Sequence, residues 1–94
     1  MSATLVLCRD APGSAELRQA HLRAHLVYVE TILEYILVAG PTTGGSLLLF
    51  ATADEARARA WLEADPYFSA GVWAEVSYAA FRPVAGSWVG GKIW

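Results

Sequence analysis

The 94-residue sequence is poor in cysteine, lysine and charge, and each scarcity excludes a class of protein. Its single cysteine, Cys8, cannot form an internal disulfide or a cysteine-based zinc site. Lys92 is the only lysine, and no basic cluster is present to neutralise phosphates, which disfavours binding to nucleic acid or to a membrane surface. No apolar run approaches the ~20 residues that cross a bilayer, and the N-terminus lacks a signal-peptide pattern, so we expect a cytoplasmic protein.

Apolar residues, in contrast, are abundant. They make up 55% of the chain against 17% charged residues, with a net charge of −2, which argues against disorder. The length fits one domain, residues 1–94, of which residues 86–94 form a C-terminal extension without a clear period. A domain this small has difficulty burying so much apolar surface alone. We therefore expect a homodimer or a higher oligomer of itself.

Hydrophobic periodicity predicts six elements in the order β-α-β-β-α-β. A capping box, Thr52 with Glu55 three residues later, predicts the start of the second helix, and Pro66 predicts its end. Residues 40–45 are predicted to form a loop because of their glycine and proline content. The predicted strands are 4–8, 35–39, 46–51 and 72–81. A helical pattern runs from residue 15 to about residue 36, with the first helix predicted to end before the second strand, and the second helix is predicted over 56–64.

This order is typical of an α+β, ferredoxin-like fold, in which a four-stranded antiparallel sheet carries both helices on one face. The other face of the sheet is then left bare. Alternation along the last strand places Trp73 and Phe81 on that bare face, where we expect a second copy to cover them.

The first predicted helix carries apolar residues at spacings of four, three and four, which predicts one buried stripe. His25 is expected on the shoulder of this stripe, on the same side as Arg18 and His21. The residues of the stripe are Leu22, Leu26, Val29 and Leu33.

Histidine and aspartate provide the candidate chemistry. His25 is suited to general acid–base catalysis, although a packed histidine that donates to a backbone carbonyl fits the spacing as well. Asp65 either simply ends a helix before Pro66 or supplies a carboxylate that orients an imidazole. His21 and His25 have the spacing of two metal ligands, but no third ligand follows, so we expect no metal.

Taken in order, these residues resemble the YCII-related (YciI-like) family from about residue 3 to about residue 86. Each matching segment is short, and the ordered set carries the resemblance. The segments are Pro12-Gly13-Ser14, Glu16, Arg18, His25-Leu26, Gly40-Pro41, Ser46-Leu47, Asp65-Pro66-Tyr67 and Arg82-Pro83-Val84.

The resemblance implies a dimeric α+β barrel that forms through the sheets, a protein without a cofactor, and an acid–base pair that maps onto His25 and Asp65. One relative is linked to dehydrochlorination of a chlorinated hydroxyhydroquinone. The resulting hypothesis is a cofactor-free lyase or isomerase, dehydrochlorinase-like, that acts on a small ring-bearing substrate. Arg18, Tyr67 and Ser46 are the predicted substrate-binding residues. The alternative is a dimer that binds a small molecule without chemistry.

Overall fold

The computed structural model describes residues 2–93 and shows a four-stranded antiparallel sheet with the strand order β2-β3-β1-β4. The predicted α+β, ferredoxin-like arrangement is confirmed, with a short third helix added between α2 and β4. The elements are β1 (Ala3–Asp10), α1 (Ser14–Thr31), β2 (Ile36–Thr42), β3 (Gly45–Phe50), α2 (Glu55–Glu63), α3 (Pro66–Ser69), β4 (Trp73–Phe81), β5 (Ala85–Gly86) and β6 (Gly91–Lys92).

The predicted loop over residues 40–45 is wrong, because β2 runs through Gly40 and Pro41 and pairs with β3 as far as Thr42. Proline is tolerated here because β2 is an edge strand, where one side of the backbone has no partner. Gly44, with φ of 75°, closes the tight hairpin into β3.

Helix α1 turns a different face toward the core than its leucine spacing predicts. Leu22, Leu26 and Leu33 are 46, 50 and 58% exposed, so the predicted buried stripe is wrong. Leu17 and Tyr28 pack on the core instead, followed by the buried Ile32. The helical pattern continues to about residue 36, whereas the helix ends at Thr31, and a 3-10 helix, Leu33–Tyr35, leads into β2.

The cap of helix α2 is provided by an aspartate. Asp54 Oδ1 accepts from the backbone N–H groups of Ala56 and Arg57, while the Thr52 hydroxyl accepts from Asp54 N. The predicted capping box of Thr52 and Glu55 is therefore wrong by two positions. The charged side chain competes better for the free N–H groups at this helix start.

Strand β4 also departs from its predicted alternation. Its register against β1 shifts between Arg9 and Asp10, so Trp73 joins the core instead of lying on the bare face of the sheet. Phe81 does lie in the apolar groove on that face and is 43% exposed. A bulge explains the difference, because one extra residue reverses the side-chain alternation beyond it.

The core lies between the sheet and the helices and is built around Val6, Phe50, Leu62 and Val72, which are at most 1% exposed. The opposite sheet face carries an apolar groove of about 980 Å³. The hairpin β5–β6 of the C-terminal extension borders the groove through Trp88 and Ile93. Trp94, the last residue of the extension, lies outside the described residues. Among residues 2–93, no helix is long and apolar enough to cross a membrane.

Candidate acid–base site

Asp65 is held at the junction between two helices. Helix α2 ends at Glu63, and Asp65 then caps α3, whose first residue is Pro66. The Asp65 Oδ1 atom accepts from Tyr67 N at 2.9 Å, and the residue is only 2% exposed. Proline suits the first position of a helix, because an N–H group there would have no acceptor within the helix. Pro66 therefore starts α3 directly after Asp65, and the cap holds the Asp65 carboxyl group in place.

His25, in the middle of α1, contacts this carboxyl group directly. Its Nδ1 atom lies 2.8 Å from both Asp65 Oδ1 and Asp65 Oδ2. Because an ionised carboxylate only accepts hydrogen bonds, Nδ1 carries the hydrogen, and the lone pair of the neutral ring is then on Nε2. Nε2 has no hydrogen-bond partner among residues 2–93, and the side chain is 19% exposed. An oriented imidazole with its second nitrogen free is the arrangement that a general base requires.

Tyr67 fixes the plane of the histidine ring. The two rings stack with centroids 3.8 Å apart and an interplanar angle of 4°. Tyr67 also forms a T-shaped contact with Trp73, whose ring centroid lies 5.9 Å away. The Tyr67 hydroxyl donates to the carbonyl oxygen of Arg18 at 3.1 Å, and the residue is 3% exposed. This geometry favours a positioning role for Tyr67 over the predicted contact with substrate.

Arg18 is separated from the His25–Asp65 pair by the Tyr67 side chain, and it forms hydrogen bonds to residues of the sheet. Its Nη2 atom donates to Asp10 Oδ1 at 2.8 Å and to the Ser46 hydroxyl at 3.0 Å, and its guanidinium carbon lies 5.4 Å from the Tyr67 ring centroid. The structure thus brings all five predicted site residues into one contiguous group. Asp10 neutralises much of the positive charge of Arg18.

Cys8 lies beneath this group on β1 and is buried. Burial, followed by the negative charge of Asp65, raises the pKa of the thiol from its ordinary 9.0 to about 12. Since the thiolate is the reactive form, Cys8 has no nucleophilic role at neutral pH. Burial and the charge of Asp65 also raise the pKa of the nearby Tyr28 hydroxyl.

Neither of two cavities in the described part of the chain is lined by His25 or Asp65. One is the apolar groove on the bare sheet face, and the other is a smaller opening of about 310 Å³ beside Glu75 and Thr43. The acid–base pair lies on the helical side of the sheet. Within residues 2–93, no three His, Cys, Asp or Glu side chains are grouped as metal ligands would be.

Comparison with known proteins decides the family. The model of the YCII-related domain matches residues 3–82. The chain belongs to this family. The extension, with the β5–β6 hairpin, lies beyond the part of the YCII-related domain that the family model describes.

Two solved structures are similar to this YCII-related domain. One is 5-chloro-2-hydroxyhydroquinone dehydrochlorinase from Burkholderia phenoliruptrix in complex with 2,5-dihydroxybenzoquinone, with a TM-score of 0.73 and 28% identity over 90% of this chain and 96% of that one. The other, a protein from Agrobacterium tumefaciens, has a TM-score of 0.58 and 13% identity over 89% of this chain and 94% of that one, and it supports the fold alone. A search of curated proteins found no match.

Two residues, Asp10 and Trp73, were not predicted to belong to the site. Asp10 ends β1 eight positions before its partner Arg18, and only the fold shows that the two side chains meet. Trp73 was assigned to the wrong sheet face because no sequence signal marks the register shift in β4.

Proposed function

We propose that this YCII-related protein is a cofactor-free acid–base enzyme, of the lyase or isomerase type, that acts on a small ring-bearing substrate. The observation that carries the proposal is the contact between His25 Nδ1 and both Asp65 oxygens at 2.8 Å. The contact leaves Nε2 as the proton acceptor, and a partly exposed side chain lets substrate reach it. The similarity to a dehydrochlorinase adds support, because that reaction consists of proton transfers and loss of chloride.

In the proposed reaction, His25 is the catalytic base and Asp65 orients the ring and balances the charge of the imidazolium. For a chlorinated polyhydroxybenzene, Nε2 takes a hydroxyl proton and returns a proton to the ring carbon that carries chlorine. Loss of a second hydroxyl proton then expels chloride with the electrons of the carbon–chlorine bond. The net change is loss of HCl, and no electrons are supplied from outside.

Arg18 and Ser46 are proposed to bind polar groups of the substrate. Only Nη2 of the Arg18 guanidinium has hydrogen-bond partners among residues 2–93, so its other N–H groups are available. The Ser46 hydroxyl accepts from Arg18 and keeps its own hydrogen for donation, although the residue is only 9% exposed. Tyr67 is proposed to hold His25 in place rather than to contact the substrate.

The direct test is turnover of 5-chloro-2-hydroxyhydroquinone by the purified protein, followed as chloride release and as the absorbance of the quinone product. We expect release that depends on protein concentration and is lost in His25→Gln. No release above that of His25→Gln, for this compound and for related chlorinated or hydroxylated rings, would favour the second proposal below.

The second proposal is that the domain binds a small molecule without chemistry. The observation that favours it is the apolar groove of about 980 Å³, whose size lies in the range of ligand pockets and which the acid–base pair does not line. Titration with 2,5-dihydroxybenzoquinone separates the two proposals. Binding that is unaffected by His25→Gln supports the binding domain, whereas binding that His25→Gln weakens supports the acid–base site.

We also propose that the bare sheet face is covered by a second copy of the chain. Leu37 and Phe81 remain 40 and 43% exposed there, and Leu5, Leu47 and Leu49 complete an apolar surface. A surface of this kind on a small protein is typical of an interface, and a stable one buries roughly 1,200 Å² or more in total.

A further inference from the structure

Helix α1 carries an apolar surface that the fold does not use. The leucine stripe, which we define as Leu22, Leu26, Val29 and Leu33, runs along its outer flank and continues onto the 3-10 helix Leu33–Tyr35, and its three leucines are 46–58% exposed. No residue of α1 is fully buried, and the side chains that pack on the core lie on another face of the helix. Contiguous apolar surface is rare on a protein that stays monomeric, whereas single exposed leucines are common.

Two opposite charges border this stripe on one side. At about 100° per residue, Arg23 and Glu30 fall on the same flank, two helical turns apart. Neither side chain forms an ion pair within residues 2–93. The flank beyond the other edge of the stripe holds Arg18 and His25, which the acid–base site already engages.

We propose that α1 pairs antiparallel with α1 of a second copy, about a two-fold axis that crosses the leucine stripe midway between Leu26 and Val29. The axis places Leu22 against the partner's Leu33 and Leu26 against the partner's Val29. In an antiparallel helix pair, each flank meets the same flank of the other helix. Arg23 therefore reaches the partner's Glu30, and Glu30 reaches the partner's Arg23.

The charges beside the leucine stripe determine which partner fits it and in which direction the partner helix runs. A parallel pair would set the Arg23 flank against the flank of Arg18 and His25, which packs on the sheet, and would leave both charges unpaired. An identical helix provides an arginine and a glutamate at the required spacing and in the reverse order. The surface is thus complementary to itself, as a two-fold interface must be.

This interface is separate from the proposed contact between sheets. The helices cover one face of the sheet, while the apolar groove occupies the other face, so one copy has room for both partners.

A charge exchange tests the pairing. We expect Arg23→Glu and Glu30→Arg each to lower the association constant at least about tenfold, because each places like charges in contact twice across the axis. The double variant Arg23→Glu/Glu30→Arg restores both ion pairs and is expected to recover association to within about threefold of the wild type. Sedimentation velocity over a wide range of concentration should show each single variant at half the mass of the wild type and of the double variant.

Two further variants complete the design. Leu26→Lys removes an apolar contact at the axis and is expected to halve the mass without rescue, while Val27→Lys, on the far side of the helix, should leave the mass unchanged. Circular dichroism checks that each protein is folded. Equal masses for the wild type and both single variants would overturn the proposal. A double variant that stays at the lower mass would overturn it as well. In either case another protein or the sheet interface would account for the exposed surface.

Discussion

His25 Nδ1 lies 2.8 Å from both carboxyl oxygens of Asp65, although 40 positions separate the two residues. In Asp65→Asn, the amide N–H₂ group faces Nδ1 and favours the ring form whose hydrogen is on Nε2. The base is then lost while the ring stays in place. We expect turnover to fall about 10²–10⁴-fold, the usual contribution of a general base. Ring ¹⁵N shifts of His25 measure the exchange of tautomers directly.

The matched control is Glu34→Gln, which removes one carboxylate from an exposed residue that forms no ion pair within residues 2–93. Its turnover and its melting temperature should equal those of the wild type. If Asp65→Asn retains full turnover while its stability falls by about 1–3 kcal/mol, the range for a buried group that loses its partner, the pair is structural only.

Tyr67 is expected to act through its ring more than through its hydroxyl. Tyr67→Phe keeps the stack on His25 and loses only the bond to the Arg18 carbonyl, a change worth about 1 kcal/mol. Tyr67→Leu removes two aromatic contacts that contribute about 0.5–1.5 kcal/mol each beyond their burial. Turnover should survive the first change and fall in the second. Equal turnover in both variants would show that the ring does not position His25.

Much of this fold is predictable because its signals are local. The element order, the end of α2 before Pro66 and the apolar third strand all follow from spacing and from turn residues. The placement of His25 and Asp65 in one group followed from the family resemblance together with the topology. The distance between the His25 and Asp65 side chains depends on how α1 and α3 pack. No local sequence pattern encodes this packing.

The errors have a common physical origin. Helix α1 has two apolar faces, and the leucine stripe is the more regular one, so periodicity selected the face that stays exposed. The inward face includes His25 and Tyr28, whose polar atoms find partners in Asp65 and in the Trp61 carbonyl only after folding. The bulge that buries Trp73 is likewise a property of strand pairing, not of β4 alone.

The proposed dimer through the bare sheet face predicts that a charge placed on this face halves the molecular mass. Leu37→Lys and Leu49→Lys both place an ammonium group in the apolar groove. Light scattering after size-exclusion chromatography should show half the wild-type mass for each. Combination of Leu37→Lys with Arg23→Glu should give the 10.1 kDa monomer. A wild-type mass in both lysine variants would contradict the dimer and leave the helix pairing to its own test.

Gly45 is expected to be intolerant of any side chain, because a Cβ there would overlap the carbonyl oxygen of Cys8 on the neighbouring strand. Gly45→Ala must push β3 away from β1, and Ser46 with it. We expect a loss of about 1–3 kcal/mol, as for other overpacked sites. Gly40→Ala is the control, since a Cβ at that position of β2 has no neighbouring atom within 4 Å. Urea denaturation compares the stabilities of the two variants. Similar midpoints would show that Gly45 does not lie as close to the Cys8 carbonyl oxygen as the structure indicates.

Cys8 is expected to make the fold sensitive to alkaline pH. Burial and the charge of Asp65 raise the pKa of its thiol to about 12 in the folded chain, against 9.0 ordinarily. A pKa that is higher in the folded state means that the unfolded chain loses its proton first. The contribution to stability is therefore complete below about pH 9 and is lost as the pH rises toward 12.

Cys8→Ala should abolish this part of the pH dependence, although the variant is less stable overall because a small cavity replaces the sulfur. The informative interval lies around pH 9, where tyrosines with an ordinary pKa of 10.0 are still mostly protonated in the unfolded chain. Urea midpoints that decline over this interval in the wild type and stay level in Cys8→Ala are the expected result. Alkylation by iodoacetamide at pH 8 provides an independent measure, because a buried neutral thiol reacts only when the chain opens. Alkylation of the native protein as fast as of the chain in urea would show that Cys8 is accessible and ionised, and that the site above it is more open than its packing implies.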